Sequence, residues 1–430
     1  MATAAPEPSA LEEAVEEARR RGFGSAVATL GRVGWQRLRS GELGSLPVIV
    51  ALAIIWAYFQ SKESVFLSGR NLSNLILQIG VTGTIAIGIV LVLLLGEIDL
   101  SVGSVMILSS ALLAWGVVNH NWAWYWGIVF VLASGAAIGA LQGAWFALIG
   151  VPSFVVTLAG LLGWQGVQQH VLGSTGTINV FDSHISAITG SYLPHVWGWI
   201  LAIAATALYA LSRFYEAARR RHARLPAPPV VVVVVRTVAV AAVALLVTAI
   251  LNGEFKNWPN KQVFGDYTSG IPTAGVILLG LVIFFALLTT RTRFGRYIFA
   301  VGGSAEAARR AGINVKLIRI VVFMLAGFLA AIGGLIQTSR LSAASLAINP
   351  GQVTLEAIAA AVIGGTSLFG GRGSIWSALL GALVIGSVGN GLDLIGQGPD
   401  VKLMVEGAIL LLAVTLDAVA RRGRAAAGRV

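Results

Sequence analysis

The sequence has no cysteine and very few charged residues. Without cysteine there are no disulfides, no thiolate zinc sites and no cysteine nucleophiles. Charged residues make up 11% of the chain, against roughly 25% in ordinary soluble domains, and 56% of the residues are hydrophobic. This composition indicates an integral membrane protein.

Several motifs of enzymes and energy-coupling proteins are also absent. Glycine is never followed by lysine, so the phosphate-binding loop GxxxxGK[ST] does not occur, and ATP hydrolysis by that route is excluded. The histidines are His120, His170, His184, His195 and His222, and they form neither HExxH nor a pair at metal-ligand spacing. No nucleophile with its base can be assembled by spacing. We therefore expect no catalytic residues, no metal and no cofactor.

The positive charge of the chain is concentrated in four clusters. The formal net charge is +11, and the clusters hold 23 of the 30 lysines and arginines. They lie at 1–45, Arg213–Arg236, Arg291–Arg319 and Arg421–Arg429. They form no basic face with interleaved aromatic residues, so we expect no nucleic-acid binding. By the positive-inside rule, all four clusters are expected in the cytoplasm.

Apolar runs long enough to cross a bilayer, at about 20 residues each, recur along the chain. They lie near 46–60, 71–95, 101–118, 124–150, 152–173, 196–212, 237–252, 271–290, 317–338, 353–371, 374–394 and 400–419. These runs predict an all-α polytopic membrane protein with about 10–12 transmembrane helices. Twelve spans return the C-terminus to the cytoplasm and put all four basic clusters on that side. A weak similarity between 150–167 and 312–335 is typical of transporters built from two related halves.

The chain is expected to divide into three parts. Residues 1–45 form a cytoplasmic N-terminal leader, in which the capping box at 9–22 predicts a helix and the pattern over 28–39 is suited to lie on the anionic inner leaflet. A solvated leader is the alternative. Residues 46–420 form the transmembrane domain, and residues 421–430 form a basic cytoplasmic tail.

Two local patterns add detail to the transmembrane domain. Gly135, Gly139 and Gly143 form a small-residue face, which predicts close packing against another helix. Leu225–Pro229 breaks any helix, so we expect a cytoplasmic connection there and a span that begins at or just before Arg236.

The basic segment 291–319 stands between two long apolar runs. Within it, Ser304 is an N-cap residue for a short helix over 305–311, Glu306 lies in the first turn, and Gly312 is the stop signal. An isolated helix shorter than about 12 residues is marginal in water, so this helix should persist only against a surface. The segment 291–316 is therefore either a docking site for a partner or a simple cytoplasmic connector.

Two polar stretches interrupt the apolar runs. The first, GEIDLSVGS from Gly96, carries Glu97 and Asp99, and an ionisable residue within a span is by default a functional candidate. Asp99 is also suited to cap a helix that begins near Leu100, by bonding the next amides. The second, IGGTSLFGGRGS from Ile363, is expected to make a sharp turn or a broken helix. Candidates for a translocation path are Glu97, Asp99, Ser101, Gly103, Gly364, Gly365 and Thr366.

The remaining charged residues of the apolar region lie near the ends of predicted spans. Glu356 and Asp400 suit the N-terminal end of a helix dipole. Interfacial solvation is the expected role of Arg340, Asp393, Lys402 and Glu406.

The motifs together resemble those of the monosaccharide permeases of bacterial ABC importers, from about residue 46 to 420. The motifs are GEIDLSVGS at Gly96, VPSFVVTLAG at Val151, SYLP at Ser191, TRFGRYIFAVGG and EAARRAGINV within 292–315, IGGTSLFGGRGS at Ile363 and EGAILLLAVTLD at Glu406. Glu97 and the additional stretch over 195–265 resemble the branch that carries D-xylose.

This resemblance implies a helical permease of the vitamin B12 permease type, working as a homodimer in the bacterial cytoplasmic membrane. It also implies a separate ABC ATPase on the cytoplasmic side and a periplasmic or lipoprotein sugar-binding protein outside. The ATPase would contact the loop that follows Gly302. The residues implied in coupling are Ser304, Ala305, Glu306, Ala308, Arg309, Arg310, Gly312 and Ile313.

Two functions from different classes therefore follow from the sequence. In the first, the chain is the passive permease of an ATP-driven pentose importer. In the second, it is a proton-coupled sugar transporter that uses Glu97 and Asp99. A membrane-embedded enzyme is disfavoured because no catalytic constellation assembles.

Overall fold

The structure, a computed structural model, describes residues 46–223, 225, 228, 230–253 and 269–426. The predicted leader over 1–45 and the last four residues of the predicted tail lie outside the described residues. The described residues form fifteen helices and two short strands. The helices are α1 (Leu46–Lys62), α2 (Gly69–Leu94), α3 (Val102–Ala114), α4 (Trp124–Ala144), α5 (Ser153–Leu172), α6 (Ser183–Gly190), α7 (His195–His222), α8 (Val230–Leu251), α9 (Thr273–Arg291), α10 (Arg293–Gly303), α11 (Ala305–Arg310), α12 (Val315–Leu341), α13 (Pro350–Ile363), α14 (Trp376–Leu394) and α15 (Pro399–Ala426).

The prediction of an all-α polytopic protein is confirmed, because every predicted apolar run falls on a helix. Among the described residues, eight helical stretches are long and apolar enough to span a bilayer by themselves. Six are α2, α7, α8, α9, α12 and α14, and the other two are Val102–Asn119 and Trp124–Ile149, in which a π-helical turn lengthens α3 and α4. The other four runs form α1, α5, α13 and α15. α1 and α13 are only 17 and 14 residues long.

Two predicted boundaries differ from the structure. The helix of the run 353–371 ends at Ile363, because Gly365 takes the left-handed region with φ of +106°. The span expected to begin near Arg236 begins at Val230 instead. Valine disfavours helix only weakly, and a helix satisfies its own backbone hydrogen bonds in an apolar environment.

The core of the bundle is built around α2. Every residue from Gly83 to Leu94 is buried, and α12, α13, α14 and α9 pack around this helix. At one end of the bundle, β1 (Thr177–Asn179) pairs antiparallel with β2 (Ala343–Ser345) and joins the ends of α5 and α12. In contrast, α7 and α8 form a hairpin at the rim, with most of their apolar side chains exposed.

The predicted glycine face packs α4 closely against α12. A Cβ at Gly135 would lie 2.5 Å from the carbonyl oxygen of Gly327. A Cβ at Gly139 would clash with the carbonyl oxygen of Phe323. At Gly143, a Cβ would lie 2.9 Å from the Phe323 side chain. The backbones of the two helices therefore touch, and α12 is held in place by α4.

Replacing Gly139 by alanine should therefore destabilise the protein. The added methyl meets the backbone of α12, which cannot move aside as a side chain does, and overpacking of this kind costs about 1–3 kcal/mol. A thermal melt in detergent should show a lower midpoint for Gly139→Ala. Gly280→Ala on α9 is the matched control, because a Cβ there meets nothing within 4 Å. Equal midpoints for the two variants would contradict the α4–α12 contact.

Candidate functional site

The short polar helix α11 forms with the predicted caps. Ser304 Oγ accepts a hydrogen bond of 3.2 Å from the amide of Ala307. Glu306 and Arg310 form an ion pair on the exposed surface, one turn apart. Gly312 has φ of +83°, a conformation that favours glycine and stops the helix. The predicted helix is confirmed, and it ends one residue earlier than expected.

α11 has an inner and an outer face. Ala308 is 4% exposed and belongs to the main hydrophobic core, while Ala305 and Ile313 pack against that core. Glu306 and Arg309 are exposed. The helix is therefore anchored to the bundle by its small apolar residues and presents charged residues to the outside.

Next to α11, three glycine-rich segments meet backbone to backbone. The amide of Gly371 donates a hydrogen bond of 3.0 Å to the carbonyl of Leu94, at the end of α2. A Cβ at Gly302 would clash with that same carbonyl, and a Cβ at Gly370 would lie 2.8 Å from the carbonyl oxygen of Gly302 and 2.8 Å from the amide of Gly96. We call Gly96, Gly302, Gly370 and Gly371 the glycine junction. It joins the end of α10 to the loops after α2 and after α13.

Glu97, directly after this junction, is engaged on both carboxylate oxygens. Its Oε1 lies 2.9 Å from Nη2 of Arg319 on α12. Ser153 Oγ donates a hydrogen bond of 2.7 Å to Oε2. The guanidinium of Arg319 also lies over the ring of Phe146, 5.4 Å from its centroid. Glu97 thus joins the loop after α2 to both α5 and α12.

Asp99 is buried at 4% exposure and stabilises the turn that leads into α3. Its Oδ1 accepts hydrogen bonds from the amide of Ser101 at 2.8 Å and from the hydroxyl of Ser101 at 2.6 Å. The same hydroxyl lies 2.7 Å from Oε1 of Gln142 on α4. The predicted bond from Asp99 to the Ser101 amide is confirmed, although the helix begins at Val102 and not near Leu100.

The first turns of α3 and α13 meet each other inside the bundle. The amide of Gly103 donates a hydrogen bond of 3.0 Å to Oγ1 of Thr354, and a Cβ at Gly103 would clash with the carbonyl of Pro350. Ser104 Oγ donates to the carbonyl of Leu161, which lies eight residues into α5, about 12 Å from its start. α3 therefore starts well within the bundle, where Asp99 and Thr354 satisfy amides that water cannot reach.

The predicted path residues after α13 serve to pack helices. Thr366 is buried, and its hydroxyl lies 2.8 Å from Oγ of Ser377 on α14. A Cβ at Gly364 would clash with the Ser377 carbonyl. Ser101 and Gly103 are likewise buried, between α3 and its neighbours. The role of these residues in a translocation path stays a prediction.

The structure also gathers polar residues that the sequence placed separately at span ends. Nζ of Lys402 lies 3.3 Å from Oδ2 of Asp393, and Nε2 of Gln352 donates a hydrogen bond of 2.9 Å to Oε1 of Glu356. Lys402 and Glu406 both reach Gly389 on α14, where a Cβ would lie 3.2 Å from Nζ of Lys402 and 3.8 Å from Oε1 of Glu406. The four-residue spacing of Gln352 and Glu356 on α13, and of Lys402 and Glu406 on α15, indicates in the sequence that each pair shares one helix face. The sequence does not indicate that these two faces lie close to each other.

Gly302→Ala should disrupt the glycine junction. The new methyl would overlap the Leu94 carbonyl and would also lie 2.8 Å from the amide of Gly371. We expect a lower thermal midpoint and faster proteolysis of the α10–α12 segment. Gly303→Ala is the matched control, since a Cβ at Gly303 meets nothing within 4 Å. Unchanged proteolysis of Gly302→Ala would show that this contact is not tight in the protein.

Comparison with known proteins supports the resemblance noted in the sequence. The family model described as branched-chain amino acid transport system, permease component, matches residues 71–218 and 185–414. The xylose transport system permease protein XylH of Escherichia coli (strain K12) is 38% identical over 399 residues, covering 92% of this chain and 97% of the relative. XylH of Haemophilus influenzae is 35% identical over 388 residues, covering 89% and 98%.

A third relative, the ribose import permease protein RbsC of Escherichia coli (strain K12), is 31% identical over 370 residues, covering 86% of this chain and 92% of the relative. No solved structure matches the chain. The family match and the relatives cover nearly the whole described bundle. The chain therefore belongs to this family of transport-system permeases, whose members are transport proteins and not enzymes.

Proposed function

We propose that the chain is the membrane-spanning subunit of an ATP-driven pentose importer and that its sugar is D-xylose. The observation that carries this proposal is the similarity to XylH, at 38% identity over 92% of the chain. The ribose permease RbsC is 31% identical over 86% of the chain. Both relatives are named for aldopentoses, and the higher identity favours xylose.

Transport by this chain would be driven by a separate ATPase in the cytoplasm. The sequence holds no GxxxxGK[ST] loop, so ATP would be hydrolysed on another chain. α11 is the proposed contact, because it presents charge outward and is bound to the bundle on its other side. The glycine junction beside it provides a route from this contact into the bundle.

The residues implied in coupling divide into two groups in this proposal. Ser304, Glu306, Arg309, Arg310 and Gly312 are exposed and would face the ATPase. The remaining residues are Ala305, Ala308 and Ile313, which pack against the protein's own core and would hold the helix in place. Ala308 in particular is too buried for direct contact with a partner.

The permease would work as two copies in the bacterial cytoplasmic membrane, with both termini in the cytoplasm. The exposed side of α5 supports a second copy, since Gln169 and His170 are exposed near its end, beyond the exposed apolar residues Leu158 and Leu162. Polar side chains exposed to lipid tails are costly, so this face is better placed against protein or an aqueous path. A periplasmic or lipoprotein sugar-binding protein would deliver the sugar from outside.

A proton-coupled mechanism through Glu97 and Asp99 has no support from their surroundings. Glu97 is paired with Arg319 and Ser153, and Asp99 is bonded to Ser101. Glu97 joins the loop after α2 to α5 and α12, and Asp99 stabilises the turn that leads into α3.

Reconstitution into vesicles tests the proposed function. We expect uptake of labelled xylose only when the ATPase, ATP and the sugar-binding protein are all present, with weaker uptake of labelled ribose. Vesicles with a proton gradient but without the ATPase and the sugar-binding protein are the control, and they should take up no labelled xylose. Xylose entry into those control vesicles would contradict the proposal and support proton coupling.

Arg309→Glu tests the contact at α11. Reversing an exposed charge that faces the ATPase should weaken binding by about tenfold or more, equivalent to about 1.4 kcal/mol. Co-purification of tagged permease with the ATPase measures it. Arg213→Glu, an exposed arginine on α7, is the matched control and should co-purify normally. Normal recovery of the ATPase with Arg309→Glu would place the contact elsewhere.

A further inference from the structure

We infer that the ion pair between Glu97 and Arg319 is a mechanical link between α11 and the buried start of α3. This inference rests on the proposed function, in which an ATPase moves α11. It gives Glu97 a role in coupling, distinct from both sugar contact and proton transfer.

Arg319 is firmly connected to α11. The amide of Ile313 donates a hydrogen bond of 3.0 Å to the carbonyl of Ala308, which closes the end of α11. Asn314 then caps α12, with its Oδ1 accepting a bond of 3.1 Å from the amide of Leu317. Arg319 lies in the second turn of α12. A displacement of α11 therefore reaches the guanidinium through continuous hydrogen-bonded backbone.

Glu97 is firmly connected to the start of α3. The amide of Glu97 donates a bond of 3.3 Å to the carbonyl of Val92 in α2. Only three residues separate Glu97 from Ser101, and Asp99 holds that stretch by bonding the Ser101 amide. A pull on Glu97 is thus delivered to the first turn of α3.

α3 passes the displacement on to α13. The amide of Gly103 bonds to Oγ1 of Thr354, and Oγ1 donates a bond of 3.0 Å to the carbonyl of Pro350. The starts of the two helices therefore have to move together. Glu97 is the entry point to this paired element from the side of α11.

The physical character of the pair suits transmission of a pull. The side chains of Glu97 and Arg319 are 16% and 26% exposed, so water and salt screen them less than a surface pair. Nε of Arg319 is buried and has no hydrogen-bond partner among the described residues, so separation from Glu97 would leave the cation poorly compensated. The glycine junction beside it consists mainly of backbone contacts, which resist compression. The ion pair resists extension.

The test uses the reconstituted permease with its ATPase and binding protein. Glu97→Gln keeps the shape of the side chain and a partner for Ser153 but removes the charge. We expect normal ATPase co-purification, continued ATP hydrolysis, and at least a fivefold fall in xylose taken up per ATP hydrolysed, the lower end of ordinary coupling energies. The double variant Glu97→Arg with Arg319→Glu, which exchanges the two charges, should recover most of the xylose uptake per ATP hydrolysed.

Two further variants keep the test decisive. Glu216→Gln on α7 removes one partner of an exposed pair with Arg220 at 3.1 Å, and it should leave the ratio unchanged. Arg319→Lys keeps the charge without the planar fork, so it should give an intermediate ratio. If Glu97→Gln fails to fold, Arg319→Lys and the exchanged pair carry the comparison.

The outcomes separate the link from the proposed function. An unaltered complex that takes up no pentose with ATP would overturn the proposed function and the link with it. If the unaltered complex is active and Glu97→Gln or Arg319→Lys takes up as much xylose per ATP hydrolysed, the link is wrong and the proposed function stands. A reduced ratio that the exchanged pair does not recover would also overturn the link, because Glu97 would then act without Arg319.

Discussion

The close approach of three backbone segments at the glycine junction is the constraint on which the rest of the site depends. Gly302 at the end of α10 lies against the Leu94 carbonyl, and Gly370 lies against Gly302 and Gly96. Because no side chain fits there, α11 is held at one fixed place beside the loops that lead into α3 and out of α13. A helix as short as α11 is stable only in such a setting, with its apolar face on the bundle.

Burying polar groups in an apolar bundle is the second constraint, and the chain meets it by giving both carboxyl groups of the GEIDLSVGS motif hydrogen-bond partners. Glu97 has Arg319 and Ser153, and Asp99 has the amide and hydroxyl of Ser101. An unpaired ion in this environment would cost several kcal/mol. The same partners also set the position of α3. The contacts that compensate the buried carboxyl groups therefore connect the loop before α3 to α5 and α12.

Local patterns in the sequence predicted the helices, the caps of α11 and the glycine face of α4, because each depends on residues within a few turns of one another. The meeting of Gly96, Gly302 and Gly370 was not predictable, since these residues come from segments far apart in the chain. The pair of Glu97 with Arg319 and the cluster around Lys402 were missed for the same reason. Which helix faces which is decided by packing across the whole bundle, and a single sequence carries no direct signal of it.

We expect α11 and the loop after α2 to move as one body. The chain has no native cysteine, so spin labels can be attached at introduced cysteines alone. Labels at Ala307 and Ile98, both exposed, report the distance within this body, and labels at Ala307 and Phe181 report its position against the opposite end of the bundle. Pulsed electron resonance on the ATPase-bound complex should show the first distance unchanged on ATP binding while the second shifts. A shift in the distance between Ala307 and Ile98 would show instead that α11 and the loop after α2 move independently.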